Sequence, residues 1–204
     1  MTHDTESFLI YPKTKRLESR KSYEETYPLV AYDLETTGLS DMDDEVIEAC
    51  FIEFNKQGEI GRQFYSLCEP YSGFIPTDAS DIHGIFMRDV LGKPNYFDIR
   101  DNIIDFVNGR EFGGHNSDWF DLKMLHVELD GVKTFDTMVT GAFKFNMSDG
   151  RISLRALCKK LGVKFDKKLA HRAEYDVIKC LECHCALMRT EREAVMEAKS
   201  FWEV

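Results

Sequence analysis

The chain turns on the stretch Leu29-Val30-Ala31-Tyr32-Asp33-Leu34-Glu35-Thr36-Thr37-Gly38. From Leu29 to Tyr32 it is apolar with β propensity, and it follows Pro28, so it reads as a buried strand. Asp33 and Glu35 stand two residues apart, which on a strand puts both side chains on one face. Two carboxylates so placed repel each other and lose hydration, a cost that a shared cation relieves. Oxygen ligands on a rigid element suit Mg²⁺ or Mn²⁺. Thr36-Thr37-Gly38 closes the strand with small residues and a glycine, a shape that lets another molecule's backbone come close. Taken alone, Asp-x-Glu is better read as a strand end whose acids point to water. The downstream sequence reverses that preference.

The 204 residues suffice for one compact domain with a sizeable core. Hydrophobic residues at 43% and charged residues at 30% describe an ordinary soluble globular protein. No apolar run reaches the roughly 18 residues of a membrane span. The N-terminus lacks a basic-then-apolar leader pattern, so an intracellular, cytoplasmic protein away from membranes is expected. Six cysteines without framework spacing fit reduced thiols in such a compartment. The net charge of −10, from 26 basic and 36 acidic residues, argues against non-specific coating of nucleic acid but leaves room for a local basic groove. Nothing in the sequence sets the oligomeric state.

Residues 1–27 lack sustained periodicity and are read as a flexible N-terminal extension, with Phe8-Leu9-Ile10-Tyr11 as a possible docking segment. Residues 28–204 are read as a single domain. Glu45 to Phe54 and Arg62 to Glu69 are further strands, joined through the turn residues Asn55 to Gly58 in hairpin-like succession. Pro76 to Asp81 is read as a loop before a short helix, and Tyr96 to Val107 as a helix closed by Asn108-Gly109. Glu111 to Asn116 reads as a glycine-rich strand under a site, followed by a helix from Ser117 as N-cap to about Leu129. Lys133 to Phe135 is a short strand, with Asp136 capping a helix to Phe145. Helices are also expected over Ser153 to Leu161, ended by Gly162, and from Ala173 to at least Met188. Strands that come first and then alternate with helices predict an α/β domain with a mixed sheet.

Two further pieces carry chemistry. In His115-Asn116-Ser117-Asp118-Trp119-Phe120-Asp121, the carboxylate of Asp121 enters a helix, where the dipole favours it. Asp118 and Asp121 fit equally as residues that only improve the helix start. In His171-Arg172-Ala173-Glu174-Tyr175-Asp176, His and Asp lie five residues apart at a loop-to-helix junction, a common pattern by itself. Asp-x-Glu on a strand, Asn-x₄-Asp entering a helix and His-x₄-Asp before a last helix, in that order, resemble the DEDDh (DnaQ-like) 3′→5′ exonuclease superfamily. That group includes polymerase proofreading subunits and ribonuclease T. Ile82-His83-Gly84-Ile85, Phe135-Asp136-Thr137 and Ser153-Leu154-Arg155-Ala156-Leu157-Cys158 with Leu161-Gly162-Val163 are similar to its other landmarks. The resemblance spans about residues 28–190.

That resemblance implies a ribonuclease H-like fold, with a five-stranded mixed sheet flanked by helices. It implies two Mg²⁺ or Mn²⁺ ions held by Asp33, Glu35, Asp121 and Asp176, Asp33 bridging both, with His171 as general base for two-metal hydrolysis. Beside the substrate it places Thr36, Thr37, Gly38, Leu39 and Ile85, together with Asn116 and Phe120; His83 either approaches the substrate or serves equally well in packing or capping. Leu39 and Ile85 are its candidates to wedge or stack at terminal bases. Single-stranded DNA or RNA 3′ ends are the implied substrates, DNA favoured, with a DNA polymerase as a candidate partner. RNA 3′-end trimming, or a non-catalytic subunit that binds nucleic acid or a polymerase, are the alternatives. Asp118 is an additional carboxylate, a candidate outer-shell group.

The segment 151–172 concentrates positive charge: Arg151, Arg155, Lys159, Lys160, Lys164, Lys167, Lys168 and Arg172 face a single acid, Asp166. It reads as a phosphate track leading to His171, with Lys159, Lys160, Lys167 and Lys168 as its candidates, or as a solvated face. Cys180, Cys183, His184 and Cys185 share one predicted helix. Four ligands within six residues cannot easily surround zinc tetrahedrally, so they are assigned to the core. Trp119 is expected in the core or in a pocket wall.

Overall fold

The structure is a computed structural model describing residues 27–127 and 131–202, with side chains described through Arg189. Residues 1–26 of the expected extension, with the Phe8–Tyr11 segment, lie outside the described residues. Five strands are β1 (Leu29–Thr36), β2 (Val46–Phe54), β3 (Ile60–Leu67), β4 (Phe112–Gly114) and β5 (Thr134–Asp136). The helices are α1 (Thr77–His83), α2 (Met87–Val90), α3 (Tyr96–Val107), α4 (Asp121–Met124), α5 (Thr137–Lys144), α6 (Leu154–Leu161) and α7 (Ala173–Trp202). The sheet order is β3-β2-β1-β4-β5. β1, β2 and β3 form an antiparallel meander, whereas β4 and β5 join β1 in parallel. This is the five-stranded mixed sheet of the ribonuclease H-like fold.

β1 is the hinge of that topology, and its sequence explains why it is buried on both faces. Val30, Tyr32 and Leu34 point into one core with Phe51, Phe112 and the α3 residues Ile99, Ile103 and Val107. Leu29 and Ala31 point the other way, into a core with Cys50, Ile52, Phe54 and the α7 residues Ala173, Val177, Cys180 and Leu181. A strand sandwiched between helical layers needs apolar side chains on both faces, which is why alternation is missing from Leu29 to Tyr32. Each large apolar side chain so buried contributes about 1.5–3 kcal/mol. Asp33 and Glu35 continue the row of Leu29 and Ala31 and therefore face α7. A third core joins α5, α6 and α7 through Met138, Leu157, Cys158 and Cys183.

Several boundaries differ from the sequence reading. Pro76–Asp81 is not a loop: α1 begins at Thr77 and ends at Gly84, which adopts the left-handed conformation. The helix expected from Ser117 is a single turn, Asp121–Met124, and residues 128–130 lie outside the described residues. Ser117 does not cap it. Its Oγ accepts the Gly114 N–H at 2.8 Å and fastens the loop back onto β4. Asp136 and Ser153 do cap α5 and α6, each accepting main-chain N–H groups. Such a cap contributes about 1 kcal/mol. Gly113 is required by sheet spacing, since a Cβ there would stand 1.9 Å from the Phe135 carbonyl oxygen. No helix among the described residues is long and apolar enough to cross a membrane.

Candidate active site

The carboxylates of Asp33, Glu35 and Asp176 converge at the C-terminal end of β1. Each offers one oxygen, and the three oxygens lie within 4.8 Å of one another. β1 supplies two of them because i and i+2 share a face. α7 supplies the third from its first turn, where the helix dipole favours an anion. A register shift between Glu35 and Thr36 marks the end of regular pairing with β2, a place where bulges re-aim side chains.

Asp121 approaches from α4 and is buried. Pairing of β4 with β1 covers Val30 and Ala31, so the Leu34 N–H farther along is left for a side chain. Asp121 Oδ1 accepts it at 3.1 Å. Asp121 is thus fixed against the β1 backbone beside the other three, outside their 4.8 Å grouping.

The electrostatics of this cluster are unfavourable without a cation. Burial, then the charges of Asp121, Glu35 and Asp176, raise the Asp33 carboxyl well above the ordinary range. Burial, then Glu48 and Asp176, push Glu35 up to about 8, with Arg172 opposing. Burial lifts Asp121 to about 7 against the Leu34 N–H, and burial also raises Asp176. Asp176 Oδ1 is buried without a hydrogen-bond partner. An orphaned buried oxygen among crowded carboxylates fits hard divalent cations.

His171 lies at the edge of this cluster and is exposed. Its N–H donates to Asp176 Oδ2 at 2.9 Å, and its φ is 60°, the left-handed region that β-carbons resist. The next residues are tied to the sheet. Glu48 on β2 is wholly buried, opposite Glu35 in the strand register. Its Oε1 accepts the Tyr65 hydroxyl at 2.7 Å and Arg172 Nη2 at 2.9 Å, and Oε2 accepts the Ala173 N–H at 2.9 Å. Losing a partner leaves part of the buried Glu48 charge uncompensated, although the Arg172 side chain is itself half exposed.

A family model described as exonuclease matches residues 30–183. The chain belongs to the DEDDh exonucleases, the DnaQ-like family. DNA polymerase III subunit epsilon of Treponema pallidum is 31% identical over 160 residues, covering 74% of this chain and 72% of that one. Exonuclease X, solved with 5′-overhanging duplex DNA, superposes with a TM-score of 0.64 at 25% identity, over 79% of this chain and 92% of that one. E. coli exonuclease I, solved with an oligonucleotide, shares the fold at a TM-score of 0.65 and 16% identity, over 85% of this chain. This chain spans only 42% of exonuclease I.

The remaining candidate residues of this exonuclease fall into distinct settings. Leu39 is 85% exposed on the β1–β2 loop. Ile85 is 2% exposed and packs with Ile47, Ile75, Ala79 and Val90, so a base could not stack on its side chain as it stands. His83 is also buried, and its Nδ1 accepts the Ile85 N–H at 3.0 Å, which shapes the turn rather than presenting the ring. Thr36 and Thr37 serve the loop: Thr36 Oγ1 donates to the Gly38 carbonyl, and Thr37 Oγ1 to Asp44. Gly38 is small for an internal reason, because a Cβ there would sit 2.5 Å from the Asp44 carboxylate. Asn116 is held at φ 67° with its N–H on Asp136, and Phe120 packs on the main core.

Asp118 faces Thr134 and Asp136 rather than the carboxylate group. Trp119 is 62% exposed, which corrects the first of its two expected positions, the core. Cys180 and Cys185 face the sheet, Cys183 faces α6, and His184 packs on Phe54 and Phe135, a division that disperses the would-be zinc ligands. All four candidate lysines, Lys159, Lys160, Lys167 and Lys168, are exposed. Glu48 was missed by sequence reasoning. Its only signal is an acid inside the apolar run Val46-Ile47-Glu48-Ala49-Cys50.

Proposed function

We propose that the protein is a divalent-metal-dependent 3′→5′ exonuclease that releases nucleoside 5′-monophosphates from single-stranded ends, with DNA preferred. The convergence of the Asp33, Glu35 and Asp176 oxygens, next to buried Asp121 and below exposed His171, carries this reading. Asp33, Glu35 and Asp176 would hold Mg²⁺ or Mn²⁺, with Asp121 completing the set for a second ion. Such a pair of ions activates water, neutralises phosphoryl oxygens and stabilises the departing 3′-oxygen.

The chain's own groups do the rest. His171, free to reach solvent, accepts the proton of the attacking water through its imidazole. Asp176 keeps one oxygen for a ligand and uses the other to hold the His171 main chain. Leu39 meets the terminal base. The exposed lysines around α6 draw the anionic strand toward an otherwise acidic protein. The DNA preference and an association with a DNA polymerase rest on the epsilon relatives and on exonuclease X with its DNA.

The test is hydrolysis of matched single-stranded DNA and RNA oligonucleotides with Mg²⁺ or Mn²⁺. Faster DNA turnover is expected. Faster RNA turnover would make this an RNA 3′-end trimmer. Binding without turnover of either would make it a non-catalytic subunit.

A further inference from the structure

Glu48 and Arg172 form a unit that the proposed chemistry does not use directly. Glu48 cannot serve as an ion ligand as it stands, because both its oxygens are engaged by Tyr65, Arg172 and Ala173. What it holds is the backbone that follows His171. The Ala173 N–H is one of the orphan donors at the start of α7, and the acceptor comes from β2, 125 residues away. Arg172 adds a charge-assisted contact to the same carboxylate.

The backbone on the other side of His171 is held by its own N–H on Asp176 Oδ2. Asp176 in turn donates its N–H to the Arg172 carbonyl at 3.0 Å. His171 thus sits in the left-handed region between two anchors, and residues outside glycine persist there when the surroundings over-determine them. One end of this loop of bonds carries the candidate base and the other a candidate metal ligand.

We propose that Glu48, with Arg172 clamped to it, is the positioning device that fixes His171 and Asp176 relative to the β1 carboxylates. The role rests on the proposed hydrolytic function, since it acts through His171 and Asp176. Two other uses of the same atoms predict different behaviour. If Arg172 instead binds substrate phosphate, its loss acts on KM. If Glu48 only supports the fold, its loss acts on melting and leaves turnover per folded molecule alone.

The experiment uses the full chain with Glu48→Gln and Arg172→Lys, each keeping a hydrogen-bonding group of similar size. Steady-state turnover of a single-stranded oligonucleotide is measured at saturating Mg²⁺, alongside residue-resolved amide hydrogen exchange of the metal-free protein. Glu48→Gln is expected to lower kcat on the order of 10- to 100-fold, the scale of a small misplacement of catalytic groups, with KM within about twofold. Arg172→Lys, which keeps the charge but loses the fork, is expected to fall between Glu48→Gln and the native protein. Exchange at the His171 and Ala173 amides should speed up in Glu48→Gln while the α6 amides are unchanged.

Unchanged kcat in Glu48→Gln, or a rise in KM alone in Arg172→Lys, would overturn the assignment. Unaltered exchange at His171 and Ala173 would overturn it as well. Because exchange is read without substrate, a native protein that fails to degrade oligonucleotides would sink the proposed function while leaving the clamp's effect on the backbone measurable.

Discussion

The His171 N–H donates to Asp176 Oδ2 at 2.9 Å, so the candidate base and a candidate metal ligand are joined through the backbone of one and the side chain of the other. The five-residue spacing in the sequence has this physical content. A residue at φ 60° just before a helix turns its N–H back onto the first turn and leaves its own imidazole exposed. Asp176 retains a second oxygen, buried and unpartnered, for the cluster with Asp33 and Glu35.

His171→Ala should therefore reduce kcat by roughly 10²–10⁴-fold, the usual scale for a general base, with little change in melting temperature. The His171 N–H contact to Asp176 is main-chain and survives the substitution. A variant with native kcat would remove His171 from the chemistry.

Asp33→Asn should abolish turnover, on the order of 10³-fold or more, the scale of lost electrostatic stabilisation at the reacting centre. It should leave the metal-free protein at least as stable, because it removes one of several crowded charges that raise each other's carboxyl pKa. Chelation with EDTA should stop the native enzyme just as completely. Thermal melting and turnover of the same preparation test both halves. A strongly destabilised Asp33→Asn would mean that the charge is structural.

The raised carboxyls set a pH dependence for the metal-free fold. Unfolded carboxylates lose their protons near pH 4, whereas Glu35 keeps its proton up to about 8 and Asp121 to about 7 in the folded chain. Between those limits the folded state binds more protons than the unfolded, so stability should fall as pH rises. Divalent cations compete with those protons, so the melting-temperature gain from Mg²⁺ or Mn²⁺ should grow over the same window. A metal-free melting temperature that climbs from about pH 5 to 8 would contradict the crowding of carboxylates.

Much of this arrangement was legible in the sequence, for definable reasons. β1 announces itself because burial on both faces forces a continuous apolar run, and the two acids that interrupt it at i and i+2 stand out. α3, α5 and α6 carry their caps in the residues Asn95, Asp136 and Ser153, and α3 and α6 their stops in Asn108 and Gly162, all local signals. The helix placed after Ser117 was not recoverable. Ser117 turns its hydroxyl back to Gly114, and the chain reaches only one helical turn before Leu125. Ile85 and His83 were placed by motif, yet the burial of Ile85 depends in part on Ile47, far away in the chain on β2. Glu48 was hidden for the same reason: its partners Tyr65, Arg172 and Ala173 meet only once α7 lies on the sheet.

The basic segment gives a prediction about how an acidic protein holds an anionic strand. Arg172 is committed to Glu48, and Lys160 also lies over the Phe145 ring, but the lysines at 159, 160, 167 and 168 are all exposed. If about three of the segment's side chains meet phosphates, binding should weaken with salt at a log–log slope near −2, from roughly −0.7 per contact. Changing Lys159, Lys160, Lys167 and Lys168 together to Glu should raise KM and flatten that slope with the fold intact. Equal KM and slope in the two proteins would move the substrate contacts elsewhere.

The most direct measurement compares a 3′-end-labelled linear single strand with a circular single strand of the same sequence, both incubated with the protein and Mg²⁺. The account predicts that the linear strand releases its label at once as a nucleoside 5′-monophosphate, that the circle survives, and that EDTA stops the release. Rapid cutting of the circle, or loss of label in oligonucleotide fragments, would contradict it.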